Sequence, residues 1–290
     1  MWMCKDSKCK TVFLNYEEKV MGYQLYKNQL NEVYKEFYCN ANGYCKYYEE
    51  CKKGVFQEPK FTFDRANIGI EYGESDIPKI AVVGLEALGK SGIIQDITQP
   101  SESKYNPHYK GVRYVLAYIL SKIKGECPPE NSLKNELVNY NKYTKQYALL
   151  ECYKCAFADK AKGLPHTDAM KEHCQEILLK EIQQLDLDFL IVQVKANRPY
   201  DFHDNLKHLY GDICELIDGN EYTGVYKLGS TKHPLLLIYS YHGSSDPNPN
   251  TWAWTNDRKN EFRYIKEELN PVLDKAIEEY FTNVKIENCR

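Results

Sequence analysis

Four short apolar runs, at residues 80–83, 147–150, 189–194 and 235–238, constrain this chain more than any other feature. None alternates apolar with polar residues, so each reads as a strand buried on both faces, which is how strands of a parallel sheet read. Helical patterns fall between them, around 108–124, 131–143 and 168–185. Strand and helix in turn predict an α/β fold, a three-layer domain with a central, mostly parallel sheet flanked by helices. Sheets of this kind bind ligands at the carboxyl ends of their strands, so the chemistry is expected in the loops after Val83, Leu150, Val194 and Ile238. Behind them, residues 257–281 read as a charged amphipathic helix with Phe262, Ile265, Leu269, Leu273 and Ile277 as its buried stripe.

Ahead of the α/β domain, assigned to residues 75–290, residues 1–74 form a Cys- and Tyr-rich helical N-terminal extension. Tyr23, Tyr26, Leu30, Val33 and Phe37 recur at spacings of three and four, one face of a helix over 16–38. It runs into CNANGYCKYYEEC, where Cys39, Cys45 and Cys51 lie six apart around Gly43, a loop suited to wrapping a metal. The chain has 11 cysteines, an odd number at uneven spacing, which is not how a disulfide framework is written. No stretch reaches the roughly 18 apolar residues of a membrane span, and MWMCKDSKCK lacks the apolar core of a signal peptide. A cytoplasmic monomer without a membrane partner is the expectation, and in a reducing compartment metal ligation is the first role for clustered cysteines. Cys4 and Cys9 could belong to a separate site, whereas the isolated Cys127, Cys214 and Cys289 read as ordinary thiols. With 290 residues, 43% of them hydrophobic, the chain can bury a sizeable core, and its net charge of −3 supplies no global field for nucleic acid. A nucleic-acid surface would have to be a local patch.

The loop after the first run carries GLEALGKS at 84–91, which fits the phosphate-binding pattern G-x-x-x-x-G-K-S. Read so, its backbone would cradle phosphates, Lys90 would neutralise them and Ser91 would hold magnesium. Such a nucleotide hydrolase also needs a metal-orienting acid at the end of a second strand, and neither FLIVQV nor LLLIYS ends in one. The segment GIIQDITQP leaves room for only a short helix before Pro100.

A second reading uses several segments in order: VVGLEALG at 82–89, ALLECYKC at 148–155, KEHCQEILLKEIQQLDLDFLIVQV at 171–194 and LLLIYSYHGSS at 235–245. Together they resemble the iron–sulfur branch of the uracil-DNA glycosylase superfamily, with its G-E-x-P-G loop, K-C strand end, cysteine-bearing helix and H-P-S loop. The resemblance implies a 4Fe–4S cluster held by Cys155 and Cys174 and by two upstream cysteines. Cys45 and Cys51 lie nearest the sheet, with Cys39 an equal competitor. Four thiolates suit zinc as well.

The resemblance further implies hydrolysis of the N-glycosidic bond of uracil or another modified base in DNA, in repair or anti-phage defence. Breaking that bond leaves positive charge on the sugar and negative charge on the base. A carboxylate, or the water it holds, answers the first and a histidine the second. Glu86 and His242 are the residues carried over for these roles, and Asp96 is a second water-orienting candidate. Gly84, Ala87, Gly89 and Ser244 would line the pocket, and Tyr105 or Tyr109 would stack on a flipped or single-stranded base. Trp252 and Trp254 lie in a turn-rich segment that reads either as a DNA-facing loop or as a capped turn packed on the core. The chain departs from the family pattern at Leu85, an extra residue, at Leu88 and Gly243, both in place of proline, and at Glu151, in place of asparagine. A non-catalytic DNA-binding module is the remaining alternative.

Overall fold

The structure, a computed structural model, describes residues 7–37, 45–51, 53, 65–74, 76–86, 107–128, 143, 145–154, 168–194, 202–212, 214–229, 234–241 and 264–288. Seven strands form one mixed sheet: β1 (Asn67–Ile68), β2 (Ile80–Glu86), β3 (Tyr147–Tyr153), β4 (Phe189–Val194), β5 (Cys214–Gly219), β6 (Gly224–Leu228) and β7 (Leu235–Tyr241). They stand in the order β1-β3-β2-β4-β7-β6-β5. The four apolar runs are its parallel core, β3-β2-β4-β7, while β1 pairs antiparallel with β3, and β6 and β5 extend the other edge antiparallel.

Helices cover both faces. On one, α3 (Pro107–Ile123) and α6 (Asn270–Asn288), the latter entered through a π-helical turn at Tyr264–Leu269, pack on Ile80, Val82, Leu149, Ile191 and Ile238. Four residues of the expected tail stripe, Ile265, Leu269, Leu273 and Ile277, are buried, and the fifth, Phe262, lies outside the described residues. On the other face, α1 (Ser7–Phe37), α4 (Asp168–Leu185) and α5 (Phe202–Tyr210) cover Ala81, Val83, Leu150, Leu190 and Leu237. A strand sends alternate side chains to opposite faces, so the two cores interleave along the same four strands. At the amino ends, the Asp188 carboxylate accepts from the Lys79 amide at 2.7 Å and Asp186 pairs with the Lys79 ammonium, which locks the entry of β2 to that of β4. Among the described residues, no helix is long and apolar enough to cross a membrane.

Three expectations need correction. The first strand does not end at Gly84: β2 runs on to Glu86, with Gly84 paired to Glu151 and Glu86 to Tyr153. The expected loop glycine is therefore a ladder residue, and the backbone that would open a phosphate cradle is already committed to β3. The segment around Cys45 and Cys51 is not all loop, because Tyr48–Cys51 forms a short helix, α2. Helix α1 begins at Ser7, well before residue 16. The hairpin β5–β6 and helix α5 were not anticipated, and most of the helix expected at 131–143 lies outside the described residues.

Candidate functional site

The parallel core opens at its carboxyl edge. Pairing of β2 with β4 stops at Val83–Val192, whereas β2–β3 continues to Glu86–Tyr153 and β4–β7 to Val194–Tyr241. The split lies where the chain order reverses, since the strands after β2 are laid on its two opposite sides; this is the topological switch point at which open α/β sheets hold ligands.

The inward face changes character at the same level. Along the side covered by α3 and α6, the ladder is apolar through Val82, Leu149, Ile191 and Ile238. Two residues further along each strand it becomes Gly84, Glu151, Gln193 and Ser240. Gly84 pairs with Glu151 and Gln193 with Ser240, and Gly84 and Gln193 sit one step beyond the last β2–β4 pair. Glu151 is 6% exposed, Gln193 1% and Ser240 0%. A Cβ placed on Gly84 would fall 2.5 Å from Glu151 Oε2, so the carboxylate leans across the bare glycine toward β4. Both amide atoms of Gln193 and the Ser240 hydroxyl are buried without a hydrogen-bond partner. Buried polar groups are ordinarily satisfied, because an unmade bond costs on the order of 1–3 kcal/mol. An orphan amide and hydroxyl side by side at a switch point are what a ligand site looks like before its ligand arrives. Aromatic residues flank the β7 end of the row: Tyr264 accepts from the Tyr241 amide at 3.0 Å and from Thr223 at 3.1 Å, and Tyr222 stacks on Tyr241 at 6.0 Å.

A second constellation lies at the end of β3 on the opposite face. Cys45, Cys51 and Cys174 are buried cysteines contributed by the stretch after α1, by α2 and by α4. They are close enough for their charges to interact. Burial, and then the two neighbouring sulfurs, push the Cys51 thiol up to about 12. Burial also raises Cys174, to about 11, although the Lys154 amide and ammonium oppose it. Backbone donors point at two of the sulfurs: Lys154 N–H to Cys174 Sγ at 3.3 Å and Tyr47 N–H to Cys45 Sγ at 3.4 Å. Lys154 is itself fully buried, its ammonium bound to Glu181, whose other oxygen accepts from Tyr34 at 2.7 Å. Burial and the Glu181 charge hold the Tyr34 hydroxyl well above its ordinary range. Tyr47 stacks on His173 at 3.7 Å and donates to Glu176 at 2.7 Å, which ties the turn before α2 to α4.

The thiols fit a cysteine-ligated metal group in chemistry: soft donors, shielded from water, with amide N–H groups directed at sulfur. Among the described residues, no three His, Cys, Asp or Glu side chains form a ready metal cage. Cys155, the fourth expected ligand, lies outside them, as does Cys39.

The expected catalytic residues are less completely placed. Glu86 ends β2, with its side chain outside the described ones, and Tyr109 lies in the first turn of α3 on the same terms. His242, Asp96, Ala87, Gly89, Tyr105, Ser244, Lys90, Ser91, Trp252 and Trp254 all fall outside the described residues. Gln193, Ser240 and the Lys154–Glu181–Tyr34 network were not singled out from sequence. No protein-family model matches the chain, and comparison with curated proteins gives no match.

Proposed function

We propose that the chain is a DNA glycosylase that hydrolyses the base–sugar bond of a modified base, with Cys45, Cys51, Cys155 and Cys174 holding a cysteine-ligated group, a 4Fe–4S cluster or zinc. The observation that carries this reading is that one strand, β3, joins the two constellations. Glu151 stands in the polar row, and three residues later Lys154 donates to Cys174, in the order that the resemblance to iron–sulfur uracil-DNA glycosylases requires. The cysteine-bound group would supply a rigid staple for the loop after β3. An extruded base would enter at the β2–β4 split and meet Glu151, Gln193 and Ser240, while Glu86, at the end of β2, would orient water toward the sugar. His242, one residue past β7, would take up charge on the leaving base. The orphan polar row supports a ligand that carries its own hydrogen-bonding edge, and the continuation of β2 through Gly84 weighs against a phosphate cradle.

The test is release of free base from single-stranded and duplex oligonucleotides, each carrying one altered base. The purified chain should release a base and Glu86→Gln should not, while binding DNA as before. DNA binding with no base released from any substrate would establish the non-catalytic module instead. Magnesium-dependent nucleotide hydrolysis abolished by Lys90→Ala would overturn the reading.

A further inference from the structure

We infer that the polar row selects a base bearing an exocyclic amine, and rejects uracil; this inference rests on the glycosylase reading and narrows its substrate. Because Gly84 has no side chain, the Glu151 carboxylate lies over it, drawn from β3 toward β4. Across the split, one step beyond the last β2–β4 pair, Gln193 stands on β4, with Ser240 paired beside it on β7. Read across the split, the row presents acceptors only, then a donor–acceptor amide, then a hydroxyl that serves as either.

A base edge that satisfies such a row needs a donor where it meets Glu151, and a carboxylate has lone pairs enough to serve a base alongside a protein donor. Guanine-type edges match with N1–H and the 2-amine on the two carboxylate oxygens and O6 on the Gln193 amide. Cytosine- and adenine-type edges match with the amine on Glu151 and the adjacent ring nitrogen accepting from Gln193. Uracil offers a single N–H between two carbonyl oxygens, so a carboxylate that takes the N–H sets its second oxygen against a carbonyl. That repulsion has no counterpart where the residue on β3 is an asparagine, whose amide supplies the missing donor. Gln193 and Ser240 sharpen the choice, since each is orphaned until an edge of the right pattern fills the row.

The experiment has two arms on the full chain. In the first, free guanine, adenine, cytosine and uracil are titrated against the protein by calorimetry. In the second, base release is followed from oligonucleotides that carry one guanine-, adenine-, cytosine- or uracil-type base. An amine-bearing base should be favoured over uracil by about tenfold or more, the discrimination of one good paired contact, and the arms show which ring carries the amine. Glu151→Gln, which keeps the shape and adds a donor, should bring that ratio close to one, with an unchanged melting profile as the check on folding. Gly84→Ala, whose new methyl displaces the carboxylate, should weaken binding of the amine-bearing base more than that of uracil, so that the ratio between them falls. Uracil bound or released as well as any amine-bearing base overturns the inference and leaves the glycosylase reading intact. Preferential binding of an amine-bearing base with no base released from DNA upholds the inference and overturns the glycosylase reading. No free base bound and no preference in release overturns the inference outright, as does a Glu151→Gln protein that keeps the wild-type preference.

Discussion

Lys154 reaches Cys174 and Glu181 at once: its amide donates to the Cys174 sulfur at 3.3 Å while its ammonium, 1% exposed, pairs with the fully buried Glu181 carboxylate. Strand β3, helix α4 and, through Tyr34, helix α1 thus meet at one buried charge pair beside the thiols. Removing one partner of such a pair leaves an uncompensated charge in a dry interior. Lys154→Met should therefore cost about 3–5 kcal/mol in urea unfolding, and the double variant Lys154→Met/Glu181→Leu should recover most of that loss. A double variant no more stable than the single would show that Lys154 holds β3 by something other than its charge.

The thiols give a second expectation. Because burial keeps Cys51 at about 12 and Cys174 at about 11, both carry protons at neutral pH, and a metal must displace them to bind. Uptake of iron–sulfur or zinc should release protons into weak buffer and tighten as pH rises from 6 to 8. Cys174→Ser should lose the metal, and with it any absorbance near 400 nm if the group is iron–sulfur, while retaining the far-ultraviolet signature of the sheet. A fully loaded Cys174→Ser protein would place the metal elsewhere.

Alkaline stability follows from buried phenols. Tyr114 is held at about 12 by burial and by Asp274, against an opposing hydrogen bond to Asn270, and Tyr210 at about 12 by burial and the carboxylates of Asp186 and Asp188. The unfolded chain deprotonates these groups near pH 10, where the folded chain still keeps them neutral. The folded state therefore binds more protons between pH 10 and 12, and stability must fall across that window, with no contribution from these groups below it. Denaturant midpoints at pH 8, 10 and 11.5 should decline between the first two, where the raised Cys51 and Cys174 thiols also keep protons that the unfolded chain loses, and drop further at the third; Tyr114→Phe should reduce the second drop and leave the first.

The parallel core was legible because its strands are apolar on both faces; no polar residue interrupts residues 80–83 or 235–238. The buried tail stripe was legible for a similar reason, since one helical face must cover that core. The β5–β6 hairpin was not, because β5 is a half-exposed edge strand whose Leu216 faces solvent, so neither alternation nor a continuous run marks CELIDG. Helix α5 offers only Phe202 and Leu206 as fully buried apolar anchors in nine residues. The polar row was hidden in plain text: Gln193 and Ser240 sit inside otherwise apolar strands and read there as interruptions. The signal that would have found them is comparison between strands, since the inward apolar alternation ends at the same level in all four. Cys45, Cys51 and Cys174 were legible as cysteines to watch, with Cys155 outside the described residues, but the Lys154–Glu181–Tyr34 network was not, because its members are 147 residues apart at the extreme and carry no spacing pattern.

The orphan status of Gln193 sets function against stability in a measurable way. Its amide is 1% exposed, with neither nitrogen nor oxygen hydrogen-bonded, so folding strips it of water and returns nothing. Leucine has nearly the same reach without the polar atoms, and replacing an unsatisfied buried polar group by an apolar one of similar shape is neutral or favourable. Gln193→Leu should therefore raise the unfolding free energy by about 1–2 kcal/mol in denaturant titration, within the penalty such a group carries. The same substitution removes the amide that meets the base, so binding of an amine-bearing base should weaken by tenfold or more. Gain in stability together with loss of binding is the pattern that a recognition residue gives. A variant that loses both would make Gln193 a structural member of β4, and the orphaned row would no longer mark the place where the ligand sits.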